Sequence, residues 1–330
     1  MTKQKKINNE VIDRTSFVPD PYAINWWLTL SIVVIVAAIL LLSPPLVIFA
    51  ITEVMIFALY ASALNLLLSY SGMVSFGHAV YFGLGAYGLA LTITHFGWSI
   101  PVGITAGPIV SAIFGMLYGA LAVQLTRIYA AMLTLACAEV TFAIAFQWFD
   151  VTGGDSGISG HVPAMLGLEP DHFALVVLLV VTGSILALWR VVHSPLGLTI
   201  RAVGQNAERA SALGRGRKRI QLMAFTISAF FSGVAGTLFG IFHGNVFPDY
   251  MGILITVDGL VMVILGGLYS FGAGIYGAII YKILDNLVAH YFDYWQFVIG
   301  VILIVVVVVS PSGIAGLIQR VGRALKRGHQ

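Results

Sequence analysis

Five ionisable side chains stand inside long apolar runs: Glu53, Glu139, Asp258, Lys282 and Asp285. A charge at the centre of a bilayer costs about 2.5–3.5 kcal/mol even on lenient scales, so such groups must face protein, water or one another. Lys282 and Asp285 are three apart, the spacing of an intrahelical ion pair, and Asp258 has the place of a group near an interface. Glu53 and Glu139 have no basic neighbour within a helical turn. Both are candidates to line a solute path, and a hydrogen-bonded packing role is the competing reading. His78 follows a glycine and reads first as a packing histidine. No phosphate loop of the form G-x-x-x-x-G-K-[ST], no metal-ligand spacing and no nucleophile with a base is present, so the expectation is a protein that is not an enzyme and holds no cofactor or metal.

The elements that carry these groups follow from composition. The chain is 59% hydrophobic and 9% charged, with a mean hydropathy of +0.95, whereas a soluble globule is about 25% charged. The fold class expected is all-α, a polytopic helical membrane protein. At about 20 residues per span, ten spans take roughly 200 residues and leave only short connections. Apolar runs place them at 26–42, 47–68, 79–94, 102–123, 129–148, 173–189, 222–242, 253–268, 274–288 and 297–309. The first is longer than a signal-peptide core and ends in Ser43-Pro44-Pro45 without a small-residue cleavage site, so it is expected to stay as a span. The transmembrane domain covers 23–312, between a polar tail at 1–22 and a basic tail at 313–330. The single Cys137 offers no disulfide framework. The pI near 8.9 comes from membrane-flanking Lys and Arg, which implies lipid and not nucleic acid as the partner.

Charge asymmetry gives orientation. Residues 149–171 carry Asp150, Asp155, Glu169 and Asp171 and no Lys or Arg, whereas 190–221 hold seven of the 17 Lys and Arg residues. The acidic segment belongs outside and the basic connection in the cytoplasm; an even number of spans puts both termini there as well. Within the basic connection, Ala207 to Leu213 reads as a short helix with Asn206 as N-cap and Gly214 as its stop. Its surface suits a docking partner. A solvated topology loop is the plainer reading.

One internal echo links the halves. Ser71-GMVSFGHAVYFG and Gly266-GLYSFGAGIYGA share Gly72 with Gly267, Ser75 with Ser270, Phe76 with Phe271, Gly77 with Gly272 and Tyr81 with Tyr276, all offset by 195. Such echoes are how many transporters are built, with interrupted or re-entrant helices from corresponding positions meeting along the solute path. On this reading Ser75, Phe76, Gly77, His78, Ser270, Phe271 and Gly272 line the path, because a helix break survives in lipid only where protein buries it or water reaches it. Close packing through small residues is the alternative.

Five segments in order carry a family resemblance: NLLLSYSGMVSFGHAVYFGLGAYG from Asn65, TGGDSGISG from Thr152, SPLGLTIRAVGQNAERASALG from Ser194, MVILGGLYSFGAGIYGA from Met262 and SPSGIAGL from Ser310. Over about 45–318 the chain resembles the permease subunits of branched-chain amino-acid ABC importers, of the type carrying the TGG loop. Glu208, Ala210 and Gly214 have the spacing of the E-A-A-x-x-x-G coupling loop, with Arg209 in its second position. The resemblance implies a bacterial inner-membrane permease paired with a second homologous permease, two cytoplasmic ATP-binding subunits that bind the ATP, and an extracytoplasmic substrate-binding protein. It implies ATPase coupling through Ala207, Glu208, Arg209, Ala210 and Gly214. Urea and other small solutes are alternative substrates within the family. A channel, or a secondary transporter using Glu53 and Glu139 as ion sites, is the alternative outside it.

Overall fold

The computed structural model describes residues 26–160, 162–212, 216–268, 270–291, 297–298 and 300–301. The chain divides into two compact units, 1–39 and 40–330. From the first comes most of α1 (Trp26–Leu42), an apolar helix without a charged residue. The remaining helices belong to the second unit. They are α2 (Pro45–Asn65), α3 (Ala79–Thr94), α4 (Ile100–Ala122), α5 (Arg127–Gln147), α6 (Pro170–Val192), α7 (Pro195–Gln205), α8 (Ala207–Ala212), α9 (Arg217–His243), α10 (Ile253–Gly266) and α11 (Ala273–Tyr291). The fold is all-α, and five stretches are long and apolar enough to cross a membrane: Pro45–Ser71, Ile100–Ala122, Ile128–Gln147, Pro170–Val192 and Arg217–His243. The tails expected at 1–22 and 313–330, and most of the expected span at 297–309, lie outside the described residues.

Glycine sets the packing. α3 is apolar on every side, the pattern of a helix enclosed by others, and it packs against α4 and α9. A Cβ on Gly85 would lie 2.7 Å from the Cα of Gly233, and one on Gly88 would lie 2.9 Å from the Cα of Gly107. These crossings bring backbones into contact and admit no side chain, the arrangement that holds helices together where lipid removes the hydrophobic drive. A second group joins α2, α10 and α11. There Gly274 lies against Ser62, and a Cβ on Gly259 would stand 2.5 Å from the ring of Tyr60.

The connections sort to two ends. At one, the two-residue strand Ile158–Ser159 pairs antiparallel with Asn245–Val246, and His95 Nε2 lies 2.8 Å from the Val151 carbonyl oxygen. This end carries the acidic segment. At the other, Arg217 reaches the Leu125 carbonyl at 3.4 Å, and Asn65 reaches that of Ser270 at 2.8 Å. The basic connection lies here, and α6, 23 residues long or about 34 Å, separates the two.

Candidate functional site

The first break follows α2. The helix widens into a π-helical stretch, Leu66–Ser71, and stops at Gly72 with φ +67°, a conformation that glycine adopts without steric cost. Ser75 and His78 are fully buried, and Phe76 is 41% exposed. The Phe76 N–H donates to Thr134 Oγ1 of α5 at 3.2 Å, and the Ala79 N–H, opening α3, donates to Thr256 Oγ1 of α10 at 3.0 Å. His78 Nε2 lies 3.4 Å from Ser228 Oγ, and its ring centroid stands 5.7 Å from that of Tyr60. A Cβ on Gly77 would run into the Thr134 carbonyl and come within 2.6 Å of the Ala138 Cβ. Gly77 is therefore a point of backbone contact between the break and α5.

The second break also turns at a glycine with positive φ but differs in form. α10 ends at Gly266, Gly267 takes φ +104°, and α11 restarts at Ala273 after the half-buried Ser270, Phe271 and Gly272. A Cβ on Gly272 would meet the ring of Tyr276 at 2.6 Å, a side chain free to turn away. Asn65, the last residue of α2, donates through Nδ2 to the Ser270 carbonyl at 2.8 Å and receives a hydrogen bond from Ser69 at 2.5 Å. One amide side chain thus ties the end of the first long helix to the second break.

The basic connection is more structured than its charge suggests. Ser194 caps α7, accepting from the Gly197 N–H at 3.3 Å, and Pro195 opens the helix. This Ser-Pro pair is a readable start signal, and it marks a helix additional to the one expected at Ala207 to Leu213. α8 spans Ala207–Ala212; Asn206 Oδ1 accepts from the Arg209 N–H at 3.0 Å, as an N-cap should. Glu208 and Arg209 are exposed and Ala210 is buried. Gly214 lies outside the described residues. Beside α8 opens a cavity of about 570 Å³ lined among others by Gly72, Tyr129, Gly204, Asn206, Glu208 and Arg217.

The charged groups separate into two kinds. Lys282 Nζ lies 2.8 Å from Glu53 Oε1 and 3.8 Å from Asp285 Oδ2, and 4.1 Å above the ring of Phe57. The Tyr281 hydroxyl donates to Asp258. Glu53 therefore has the cationic partner that local spacing denied it, supplied by a helix 229 residues away. The Lys282 pairing with Asp285 is the longer of the two Lys282 contacts. Glu139 differs: it is exposed on α5, and among the described residues no hydrogen bond or ion pair reaches it. α5 turns its small residues Ala130, Ala131, Thr134, Ala138, Thr141 and Ala145 inward. Glu139 stands on the opposite, uncovered face, one residue from the contact with Gly77.

Residues 46–307 match the family model described as the branched-chain amino acid transport system / permease component. The high-affinity branched-chain amino acid transport system permease protein LivM of Salmonella typhimurium is 29% identical over 290 residues, covering 80% of this chain and 68% of that protein. LivH of Escherichia coli, a permease protein of the same kind of system, is 24% identical over 283 residues, 79% of this chain and 91% of its own length. The autoinducer 2 import system permease protein LsrC of an Enterobacter species is 29% identical over 232 residues, 68% of this chain and 64% of that protein. No solved structure matches. A match over most of the chain, together with five helices fit to cross a membrane, makes this a multi-pass membrane protein that belongs to the branched-chain amino acid transport system permease family.

Proposed function

We propose that the chain is a permease subunit of an ATP-driven importer of branched-chain amino acids and forms part of the translocation path. Ten spans in two related halves carry both termini in the cytoplasm of a bacterial inner membrane. The partners are a second homologous permease, two ATP-binding subunits at α8 and a substrate-binding protein at the acidic end. ATP is bound and hydrolysed in those partner subunits.

The observation that carries this reading is the position of Glu139. It lies near the middle of an apolar span and is exposed, and its chain neighbour Ala138 abuts the break at Gly77. A carboxylate there is too costly to leave against lipid; a polar path bounded by the partner permease relieves the cost. The half-exposed Phe76 is held to the same helix through Thr134, so α5 and the break together offer an anion for an α-ammonium group and an aromatic face for an aliphatic side chain. Ser75 and His78 are buried in the same break, and Ser270, Phe271 and Gly272 form the second break, which Asn65 ties to the end of α2. Pairing of Glu53 with Lys282 removes one of the two free carboxylates that a secondary transporter would use, so the ATP-driven reading is favoured.

The test is uptake of labelled leucine into proteoliposomes holding the complete transporter, with valine, isoleucine and urea as competitors. Uptake that needs ATP and this chain, and that valine and isoleucine suppress, is expected. Uptake driven by a proton or sodium gradient without ATP would overturn the proposal, and suppression by urea alone would overturn the substrate class.

A further inference from the structure

The basic connection is held against both helix breaks at once. α7 buries Gly197, Ile200 and Val203. Its last turn meets the first break backbone to backbone: a Cβ on Gly204 would lie 2.5 Å from the Tyr70 carbonyl oxygen and 3.0 Å from the Ser71 carbonyl carbon, and one on Gly72 would lie 3.2 Å from the Gly204 carbonyl oxygen. Three residues earlier, the Arg201 guanidinium sits 4.5 Å above the ring of Tyr70. Tyr70 belongs to the π-helical stretch, a widened turn of a kind frequent at functional sites. The second break is reached by two further contacts. The ring of His193, just before α7, is 6.4 Å from that of Phe271, and Asn65, just before the π turn, holds the Ser270 carbonyl.

The outer end of α7 is equally well fixed. Asn206 is the only residue between α7 and α8. Its N–H donates to the Ala202 carbonyl at 3.0 Å, its carbonyl accepts from the Ala210 N–H at 3.1 Å, and its side chain accepts from Arg209. One residue therefore bonds to both helices and makes the corner stiff. Interiors in close contact do not compress and so pass displacement on, and a contact of bare backbone has no side chain that can absorb it by changing rotamer.

We propose that α7 is the transmitting element of the transporter, with Gly204 and Arg201 as positioning residues that pass movement of α8 to the break at Gly72 and, through Asn65 and His193, to the break at Ser270. This inference rests on the importer reading above. It separates two roles within the basic connection: α8 is where the driving subunit docks, and α7 sets how much of each stroke reaches the path.

The experiment uses the complete transporter in proteoliposomes and measures leucine taken up per ATP hydrolysed, together with the amount of ATP-binding subunit that copurifies. The wild-type complex is measured first, and if it shows no ATP-dependent uptake the importer reading itself fails. With that established, Gly204→Ala forces α7 away from Tyr70 and Ser71. It is expected to copurify with the ATP-binding subunit and keep basal hydrolysis while uptake per ATP falls about tenfold, within the usual range of coupling between sites. Arg201→Ala is expected to lower the same ratio, and Arg201→Lys, which keeps a cation over the Tyr70 ring, to restore much of it. If Gly204→Ala fails to assemble, the Arg201 pair decides. An unchanged ratio in assembled Gly204→Ala, or loss of uptake in Arg201→Ala that parallels loss of assembled protein, would overturn the proposal.

Discussion

Replacing Lys282 by methionine keeps the length of the side chain and removes its charge. Lys282 joins α11 to α2 through Glu53 at 2.8 Å, and its side chain is 10% exposed where that of Glu53 is 31% exposed. Breaking a buried pair on one side costs about 3–5 kcal/mol, because the abandoned charge stays where water cannot reach it. Glu53 keeps nearly a third of its side chain uncovered by its own chain, so the figure is set at the low end of that range, about 3 kcal/mol. Loss of the ammonium above Phe57, at 4.1 Å, adds to the same total and is not separable from it. Glu53→Gln with Lys282→Met removes both charges together, and the double variant should recover at least about 1 kcal/mol relative to the sum of the two single changes. Equilibrium unfolding in mixed detergent micelles, followed by tryptophan fluorescence, supplies the four values of the cycle. Strict additivity, or a Lys282→Met variant as stable as the wild type, would show that the pair does not hold the two helices together.

Gly77 and Gly272, the two glycines of the Ser-Phe-Gly segments, should behave differently. Gly77→Ala drives a methyl group into the Thr134 carbonyl and should lower thermal stability in detergent by about 1–3 kcal/mol, whereas Gly272→Ala has only the Tyr276 ring to displace and should stay near the wild type; equal losses would contradict the packing described. In a Cys137→Ala background, Asp155→Cys should react with an impermeant thiol reagent from outside the cell and Glu208→Cys only after the inner face is opened, and labelling of both from one side would invert or break the topology. Glu139→Gln should assemble normally and lose most of its leucine uptake, since the amide no longer attracts an ammonium group; normal uptake with raised stability would mean that the side chain faces lipid.

How much of this was legible in advance depended on whether the signal was local. α3 matches its expected bounds, Ala79–Thr94, because an uninterrupted apolar run is a local signal, although at 16 residues it is shorter than the five stretches fit to cross a membrane. The cap at Asn206 was equally plain, being set by residues three apart. The partner of Lys282 was not. Spacing along one helix offers Asp285, whereas Glu53 comes from a helix whose register against α11 is set by Gly274 seated on Ser62. The same limit applies to the Ser-Phe-Gly breaks. Both sequences announce a loss of helix, but whether a glycine faces a neighbour's backbone, as Gly77 does, or a movable ring, as Gly272 does, depends on α5 and Tyr276 and leaves no mark in the motif. α7 was readable from Ser194 and Pro195. The seven Lys and Arg residues of 190–221 are the competing signal, that of a solvated loop.

Contact between α8 and an ATP-binding subunit tests the central claim most directly. With Glu208→Cys in the Cys137→Ala background, a short thiol crosslinker applied to the assembled transporter should join this chain to the ATP-binding subunit, and the yield should change between the ATP-bound and ADP-bound states, since only a contact that differs between two states can drive a conformational change. A transporter that takes up leucine at the normal rate while position 208 stays uncrosslinked in every nucleotide state would contradict the account.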